Sequence, residues 1–224
     1  MLPLGLGRPE GRPLEVLAIG AHADDIEIGC GGTVLALVAS DLPIHVTWVV
    51  LSAIGSRKAE ALESAAAFLQ DAKQSNVILR DFRDGFFPWA GAEIKEMFEQ
   101  LKPMTAPDLI LVPRRDDAHQ DHRLVSQLTW NTFRDHLILE YEIPKYDGDL
   151  APPNLFMPLP AEICEHKIEL LLKGFPSQHS RGWFTEDTFW ALLRLRGVES
   201  NSPSRFAEGF HCHKAVLGPP GGQP

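Results

Sequence analysis

Apolar runs separated by amphipathic stretches dominate the first two thirds of the chain. Short runs rich in aliphatic and β-branched residues predict five strands, at residues 15–20, 44–51, 76–81, 108–112 and 138–141. The second of these, IHVTWVVL, has very few polar positions. It is therefore expected to be covered on both faces, as the strands of parallel sheets are.

Apolar residues spaced three and four apart predict helices between these strands. One predicted helix begins within residues 26–32 and ends at Ser40, and the others cover residues 56–73, 93–101 and 122–136. Ser56 is the expected N-cap of the second helix. Strands and helices that alternate at this pitch favour βαβ units. The predicted fold is therefore α/β: a Rossmann-like three-layer α/β/α sandwich with a mostly parallel sheet and an irregular C-terminal extension.

The regular alternation ends at Pro144. Residues 146–160 are predicted to form a loop, and helices are expected at residues 161–173 and 185–195. A chain of 224 residues is long enough for one well-packed domain rather than two. The predicted organisation is a single domain, residues 1–224. Within it we expect a loose N-terminal arm at residues 1–13, a variable region that shapes the substrate site at residues 144–217, and a disordered tail at residues 218–224.

The charge balance and the cysteines narrow the classes of partner and compartment. A formal net charge of -9, with no run of Lys or Arg, argues against binding to nucleic acid or to an anionic membrane. The three cysteines are odd in number and form no CxxC pair, which is typical of a reducing compartment. The N-terminal segment lacks the apolar helix of a signal peptide, and no stretch is long enough to span a bilayer, so a cytoplasmic protein is expected.

Two clusters of acidic residues and histidines follow predicted strands. The first lies in AIGAHADDIEIGCGG, residues 18–32, after the first strand, and the second in RRDDAHQDHR, residues 114–123, after the fourth. Ligands of open α/β sheets bind at the carboxyl ends of strands where the strand order reverses, and the first and fourth strands commonly flank that point. The two clusters are therefore expected to face each other. A nucleotide-binding loop is excluded, because GCGG matches neither GxGxxG nor a P-loop.

Together the clusters supply the donors of a catalytic zinc site, which takes three His or carboxylate ligands and leaves a position for water. His22 and Asp25 lie three residues apart on a strand-to-helix turn and can bind one ion from the same side, with His122 completing the set. Adjacent residues on a turn point in different directions, so Asp24 and Asp25 are not both expected to be ligands. One carboxylate is then free to act as general base.

Each cluster taken alone has a structural interpretation. An aspartate at the start of a helix is most often an N-cap, which applies to Asp25 and Asp121. Asp121, between the two histidines, either orients an imidazole or caps the helix, and the cap is the favoured interpretation. Cys30 is either a fourth ligand or a small buried residue among glycines that pack closely. Only the presence of both clusters at strand ends favours a metal site over these alternatives.

The paired motifs resemble those of a known family. His22-Ala23-Asp24-Asp25 is similar to the (A)HPDD motif, and His119-Gln120-Asp121-His122 to the HPDH motif, of the LmbE-like, or PIG-L, family of zinc-dependent N-deacetylases, with each proline replaced. The likeness covers about residues 16–136. Further family landmarks are Gly31-Gly32-Thr33, Arg57, Glu60 and Asp84-Gly85, with weaker ones at Ser177-Gln178, Arg194–Gly197 and Ala207–Phe210.

The resemblance implies a reaction and roles for the motif residues. It implies one zinc ion bound by His22, Asp25 and His122, and hydrolysis of an N-acetyl group on an N-acetylglucosamine-type sugar or glycoconjugate. It assigns the general base to Asp24. It assigns to His119 the stabilisation of the tetrahedral intermediate or the protonation of the leaving amine.

Other candidates for substrate contact lie outside the two motifs. They are Arg57, Lys145 and Gln178. Trp89 can line a carbohydrate site, although packing in the core is the favoured interpretation. Asp117 stands two residues before the first histidine of the second motif, where some family members have a tyrosine near the substrate carbonyl.

Two other function classes stay open. One is a metal-dependent hydrolase of another amide or of a phosphoester, and the other is a Rossmann-like binding protein without catalytic activity, in which the carboxylates are helix caps. The expected partner is a small molecule or glycoconjugate that carries an N-acetyl group. A homo-oligomer is compatible with the sequence.

Overall fold

The computed structural model describes residues 4–6 and 11–217 of the protein. The expected disordered tail, residues 218–224, lies outside the described residues, as do residues 1–3 and 7–10 of the expected arm. Within the described part, seven strands form one sheet in the order β3-β2-β1-β4-β5-β7-β6. The strands are β1 (Leu14–His22), β2 (Ile44–Ser52), β3 (Gln74–Leu79), β4 (Leu109–Pro113), β5 (Leu137–Tyr141), β6 (Leu155–Pro158) and β7 (Ala207–Cys212).

The sheet reverses its strand order between β1 and β4. β1 pairs in parallel with β2 on one side and with β4 on the other, where Val16 lies opposite Leu109 and Ala18 opposite Leu111. The pairs β2–β3 and β4–β5 are also parallel. The predicted α/β fold with a mostly parallel sheet is confirmed, and the first and fourth strands flank the reversal as expected.

Six helices of the described residues pack on this sheet. They are α1 (Asp25–Val38), α2 (Ser56–Phe68), α3 (Gly91–Leu101), α4 (Gln120–Thr132), α5 (Ala161–Gly174) and α6 (Glu186–Glu199). Each predicted helix is present, although α2 ends well before the predicted residue 73. The predicted N-cap of α2 is wrong: Ser56 is the first helical residue, and the cap position is Gly55, whose φ is 60°.

Alternate side chains of the central strand enter two separate cores. Val16 and Ala18 pack with α1, α2 and α5, whereas Leu17 and Ile19 pack with α3 and α4. A strand that is buried on both faces needs apolar residues at every position, which explains the unbroken apolar runs of the sequence. Among the described residues, no helix has the length and apolar character needed to cross a membrane.

The C-terminal region extends the same sheet. β7 pairs antiparallel with β5, and β6 pairs antiparallel with β7. The predicted loop over residues 146–160 is therefore wrong at Leu155–Pro158. These four residues lie among prolines and find their partner strand at the far end of the chain, so no local pattern reveals the pairing.

Helix α1 bends at Cys30, whose φ of -144° and ψ of 16° are not helical. The bend frees main-chain groups, which are bonded by two residues of the C-terminal region. Glu208 accepts hydrogen bonds from the main-chain N–H and the hydroxyl of Thr33, at 2.7 and 2.6 Å. Lys167 donates to the carbonyl oxygen of Ile28 and to Glu208, both at 2.7 Å. A buried ion pair thus fixes the helix that carries the first acidic cluster.

Candidate metal centre

The two clusters meet at the carboxyl edge of the sheet. His22 is the last residue of β1, and Asp24 and Asp25 begin α1. His119 is the N-cap of α4, and His122 lies in its first turn. Because β1 and β4 are adjacent and parallel, the segments that follow them lie side by side.

Three donor atoms form a nearly equilateral triangle. Nδ1 of His22 lies 3.1 Å from Nε2 of His122 and 3.5 Å from Oδ2 of Asp25, and the last two atoms are 3.3 Å apart. Zinc bonds of about 2.0–2.1 Å at tetrahedral angles place neighbouring ligand atoms about 3.3 Å apart. The triangle therefore has the dimensions expected for three ligands of one tetrahedral ion.

The outer nitrogen of each histidine faces a carboxylate. Nε2 of His22 lies 3.1 Å from Oδ1 of Asp84 and 3.3 Å from Oδ2 of Asp121, and Nδ1 of His122 lies 3.1 Å from Oδ2 of Asp117. An ionised carboxylate only accepts hydrogen bonds, so the outer nitrogens carry protons, and each inner nitrogen can either present a lone pair to a metal ion or bind a second proton. Two lone pairs at 3.1 Å repel each other unless a cation lies between them. This donor set fits a metal ion.

Protons compete with a metal cation for this position. Burial alone would lower the pKa of His122, but Asp25 and Asp117 raise it to about 9. Burial also disfavours a charge on His22, and attraction to Asp25 together with the carboxylates at Nε2 raises its pKa well above the ordinary value. For Asp25, burial is outweighed by the two histidines, which hold its pKa well below its usual range. The site therefore attracts positive charge.

Asp24 pairs with Arg57. Its Oδ1 accepts a hydrogen bond from Nη2 of Arg57 at 2.6 Å. Arg57 also contacts Glu60 and the hydroxyl of Ser177, both at 3.2 Å. Burial raises the pKa of Asp24, while Arg57 opposes the rise. The guanidinium of Arg57 thus holds Asp24, the residue before Asp25 of the triangle. The predicted contact of Arg57 with substrate stays a prediction.

His119 stands beside the triangle. Its ring centroid lies 4.8 Å from those of His22 and His122. Its Nδ1 accepts a hydrogen bond from the main-chain N–H of Asp121 at 3.3 Å, so the neutral ring carries its proton on Nε2. Burial, with the nearby His122 and His22, lowers the pKa of His119. At neutral pH this residue is a neutral hydrogen-bond donor.

The expectation that Asp121 caps α4 is wrong. His119 occupies the N-cap position, and Asp121 lies inside the first turn, fully buried. Its carboxylate accepts hydrogen bonds from the main-chain N–H groups of Gly85 and Phe87, at 2.7 and 3.1 Å. Asp121 therefore links α4 to the loop after β3 and to the outer nitrogen of His22.

The two remaining predicted substrate residues have partners within the protein. Nζ of Lys145 lies 2.9 Å from Oδ2 of Asp117 and 2.8 Å from Oδ1 of Asp149. Nε2 of Gln178 donates to the hydroxyl of Ser177 at 3.2 Å. Lys145 thus contacts His122 indirectly, through Asp117. Gln178 contacts the Ser177 hydroxyl, which Arg57 also contacts. Their contact with substrate stays a prediction.

Sequence reasoning gave no function to two carboxylates that contact the triangle. In the sequence, Asp84 is only a family landmark, and Asp117 only occupies the position where some family members have a tyrosine. Burial would raise the pKa of Asp117, but His122 and Lys145 lower it to about 2. The strand-end position of both residues was a signal, since each follows a strand whose carboxyl end lies at this edge.

Exposed aromatic rings lie on the loop that carries Asp84. Trp89 is 78% exposed and Phe86 is 41% exposed, with ring centroids 5.6 Å apart. The favoured interpretation of Trp89 as a core residue is therefore wrong. The buried ring of this loop is Phe87, which stacks on His22 with centroids 6.0 Å apart.

Besides the triangle, two further groups of the described residues have ion-binding spacing: His22 with His119 and His122, and His22 with Asp84, His119 and Asp121. Cys30 belongs to neither and is fully buried in the core, in agreement with a packing role. In the second group, Asp121 already accepts two main-chain hydrogen bonds. That group is better explained as the set of residues that orients His22.

A family model matches this region. The model of PIG-L, described as GlcNAc-PI de-N-acetylase, covers residues 17–133, just over half of the chain. The chain belongs to the PIG-L family. The matched segment of this PIG-L protein contains both motifs, Arg57, Asp84 and Asp117, while Lys145 and Gln178 fall outside it. The resemblance noted in the sequence is confirmed.

Solved structures share the fold of this PIG-L protein at low identity. The N,N'-diacetylchitobiose deacetylase from Pyrococcus horikoshii is 20% identical, with 93% of this chain and 86% of that chain covered and a TM-score of 0.68. The 4-carboxy-2-hydroxymuconate hydratase GalB from Pseudomonas putida KT2440 is 14% identical, with 92% and 98% covered and a TM-score of 0.68. The zinc-inhibited form of teicoplanin deacetylase Orf2 is 12% identical, with 88% and 96% covered and a TM-score of 0.65. Because a hydratase shares the fold with deacetylases, the fold alone does not assign the reaction.

Proposed function

We propose that this PIG-L protein is a zinc-dependent N-deacetylase that hydrolyses an N-acetyl group on an N-acetylglucosamine-type sugar or glycoconjugate. The triangle of His22, Asp25 and His122 carries the proposal, because its edges of 3.1, 3.3 and 3.5 Å match the ligand spacing of one tetrahedral ion. The family match supports the reaction class, since the PIG-L model is described as a de-N-acetylase.

Zinc held by His22, Asp25 and His122 would lower the pKa of a water molecule from about 15.7 to about 7 and polarise the amide carbonyl. The protein itself keeps the donors ready for the ion. With the ion bound, Asp84 and Asp121 would face the remaining proton of His22 on Nε2, and Asp117 would face that of His122 on Nδ1, so both inner nitrogens would donate lone pairs to the metal.

Asp24 is the proposed general base. It is 5% exposed, adjoins Asp25 in the chain and is not one of the three triangle residues. Arg57 holds its Oδ1 at 2.6 Å, which leaves Oδ2 to accept a proton from the attacking water. The remaining hydroxide adds to the carbonyl carbon of the N-acetyl group.

His119 is the proposed donor to the carbonyl oxygen. Its Nε2–H can form a hydrogen bond that strengthens as negative charge develops on that oxygen, an effect of about 3 kcal/mol for one well-placed donor. A neutral imidazole that lost this proton would become an anion. We therefore assign the proton for the departing amine to Asp24, which received one from water. The C–N bond then breaks, and acetate and the free amine leave.

The substrate class rests on what the similar proteins act on. The family model names GlcNAc-PI, and the Pyrococcus deacetylase acts on N,N'-diacetylchitobiose, so both descriptions name an N-acetylated amino sugar. The exposed rings of Phe86 and Trp89 support a sugar substrate as well. They lie on the loop that contacts His22 through Asp84, and aromatic faces offer large apolar surface for a ring to stack on.

Acetate release from a panel of N-acetylglucosaminyl compounds tests the proposal. Purified full-length protein supplied with zinc should release acetate and free amine in equal amounts, and a chelator should abolish the activity until zinc is restored. His22→Ala and His122→Ala should lose most bound zinc and turnover. Asp41→Asn, a change of an exposed acid, should retain both.

The outcomes separate the parts of the proposal. Full zinc occupancy in both histidine variants would contradict the ligand assignment. Zinc binding without acetate release from any compound would contradict the sugar substrate and leave the metal site standing. A hydratase such as GalB adds water without releasing acetate, so the same assay distinguishes that reaction.

A further inference from the structure

The buried carboxylate of Asp117 lies beside Nδ1 of His122, on the edge of the ring opposite the triangle. The residue is 3% exposed, and its Oδ2 lies 3.1 Å from the buried Nδ1 of His122. The two atoms are close enough for a hydrogen bond, but their geometry does not form one in this structure. Hydrogen bonds of catalytic sites are often poorly aligned until the ligand binds. Oδ1 accepts a hydrogen bond from the main-chain N–H of His119 at 2.7 Å. One carboxylate thus contacts both histidines of the second motif.

Lys145 holds this carboxylate from the other side. Its Nζ lies 2.9 Å from Oδ2 of Asp117, the oxygen that faces His122. The same ammonium lies 2.8 and 2.9 Å from the two carboxylate oxygens of Asp149, and Asp149 accepts a hydrogen bond from the N–H of Ala118 at 2.6 Å. The lysine side chain is 10% exposed. A continuous line of charged groups therefore leads from the loop after β5 to the triangle.

We propose that Asp117, held in place by Lys145, is a positioning residue that orients His122 and sets the affinity of the site for its metal ion. This inference rests on the metal site of the proposed function. It gives Lys145 a role within the protein beside the substrate contact predicted from the sequence. It also gives a role to the position where some family members have a tyrosine.

The physical basis is the coupling of the two nitrogens of one imidazole ring. A carboxylate at Nδ1 keeps the proton there, fixes the rotation of the ring and makes Nε2 a stronger electron-pair donor. A buried carboxylate needs compensating charge, and Lys145 provides it without withdrawing Asp117 from His122, because both contact the same oxygen.

The adjacent acid supplies a matched control. Asp116 precedes Asp117, undergoes the same change to asparagine and is exposed to solvent. Full-length wild type, Asp117→Asn and Asp116→Asn are titrated with zinc against a chromophoric chelator at one fixed pH. Asp117→Asn should bind zinc about 10–100-fold more weakly than the wild type. Asp116→Asn should bind as the wild type does. Equal affinity of Asp117→Asn and the wild type would overturn the proposal.

A spectroscopic measurement separates positioning from general damage. In zinc-loaded protein labelled with ¹⁵N-histidine, the ring N–H signal of His122 should shift in Asp117→Asn and stay in place in Asp116→Asn. An unmoved signal would contradict the contact. Wild-type protein that binds no zinc would refute the metal site itself, which is a different outcome from a failed positioning role.

The lysine provides a second variant that leaves both motifs intact. Lys145→Met should weaken zinc binding, by less than Asp117→Asn does, whereas Lys173→Met, a change of an exposed lysine on α5, should leave it unchanged. This pair keeps the proposal testable if Asp117→Asn fails to fold. Wild-type affinity in Lys145→Met would overturn the part assigned to the lysine.

Discussion

At the scale of single residues, two neighbouring aspartates have different surroundings. Oδ2 of Asp25 lies within 3.5 Å of the inner nitrogens of both histidines, whereas Oδ1 of Asp24 bonds to Arg57. Successive residues at a helix start point about 100° apart around the axis, which separates the two carboxylates. The sequence predicted this division. It did not predict the partner Arg57, because the contact joins two elements whose relative position no local pattern encodes.

Asp24→Asn tests the division of roles. The amide cannot accept a proton from water, so kcat should fall about 10²–10⁴-fold, as for loss of a general base. Zinc content should stay at the wild-type level because Asp25, His22 and His122 are unchanged. Steady-state kinetics and metal analysis of the same preparation measure both. Wild-type turnover in this variant would rule out Asp24 as the base, and lost zinc would place it among the ligands.

Gly29 shows how closely α1 approaches the sheet. A Cβ at this position would overlap Cδ2 of Tyr141, a fully buried ring whose hydroxyl donates to the carbonyl oxygen of Ile19 at 2.7 Å. Gly29→Ala should therefore destabilise the protein by about 1–3 kcal/mol, as overpacking does. Urea denaturation measures the loss. Gly91→Ala is the control, because its Cβ would meet nothing closer than 4.0 Å; equal stability of the two variants would refute the close approach.

At the scale of elements, one buried carboxylate joins β5 to its neighbours. Glu140 is fully buried and accepts hydrogen bonds from the main-chain N–H and Nε of Arg115, at 3.0 and 2.8 Å. It also accepts from Nε1 of Trp130 on α4 at 2.6 Å and lies 3.1 Å from Nε2 of His213. The four contacts connect segments on both sides of β5. Burial would raise the pKa of Glu140, but its bonds to Arg115 and Trp130 lower it.

Glu140→Gln should therefore cost stability in a pH-dependent way. The pKa of Glu140 is lower in the folded protein than in the unfolded chain, where it is about 4.3. The charged carboxylate therefore stabilises the fold fully above about pH 4.3, and this contribution is lost as the pH falls through the lower pKa of the folded protein. At neutral pH the variant should be less stable by about 2 kcal/mol, as for hydrogen bonds to a charged group. Chemical denaturation across the acidic range should show the difference narrowing below about pH 4. A difference that stays constant with pH would contradict this assignment.

The spacing of apolar residues predicts most of the helices and strands. The five strands β1 to β5 and all six helices follow from apolar runs and helical spacing. The strands β6 and β7 are missed, because the two pair with each other across most of the C-terminal region. The bend at Cys30 was likewise out of reach, since Lys167 and Glu208, which bond the main chain on either side of it, lie far away in the sequence.

At the scale of the whole molecule, the triangle ties distant segments together. His22 and Asp25 come from the β1–α1 turn and His122 from α4, and the three meet only when β1 and β4 are paired. A bound ion therefore stabilises the folded chain against the unfolded one, in which the donors are apart. The sequence predicted this meeting from the strand order alone, because parallel strands present their carboxyl ends at one edge.

Zinc should accordingly raise the melting temperature. Free zinc at 100 times its dissociation constant adds about 2.7 kcal/mol to the free energy of unfolding. For a domain of this size, that corresponds to a rise of about 5–10 °C in the melting temperature. Differential scanning fluorimetry with zinc and with excess chelator measures the shift. His122→Ala should show little or none of it; a full shift in that variant would mean that zinc binds elsewhere.

The bend of α1 imposes an order on biosynthesis. Glu208 is added to the chain 175 residues after Thr33, whose N–H and hydroxyl it bonds. At translation rates of about 5–20 residues per second, roughly 9–35 s separate the two. A nascent chain that ends between residues 133 and 208 therefore contains the whole matched segment but lacks the ion pair that fixes the first motif's helix. Metal loading is expected to follow the synthesis of Glu208.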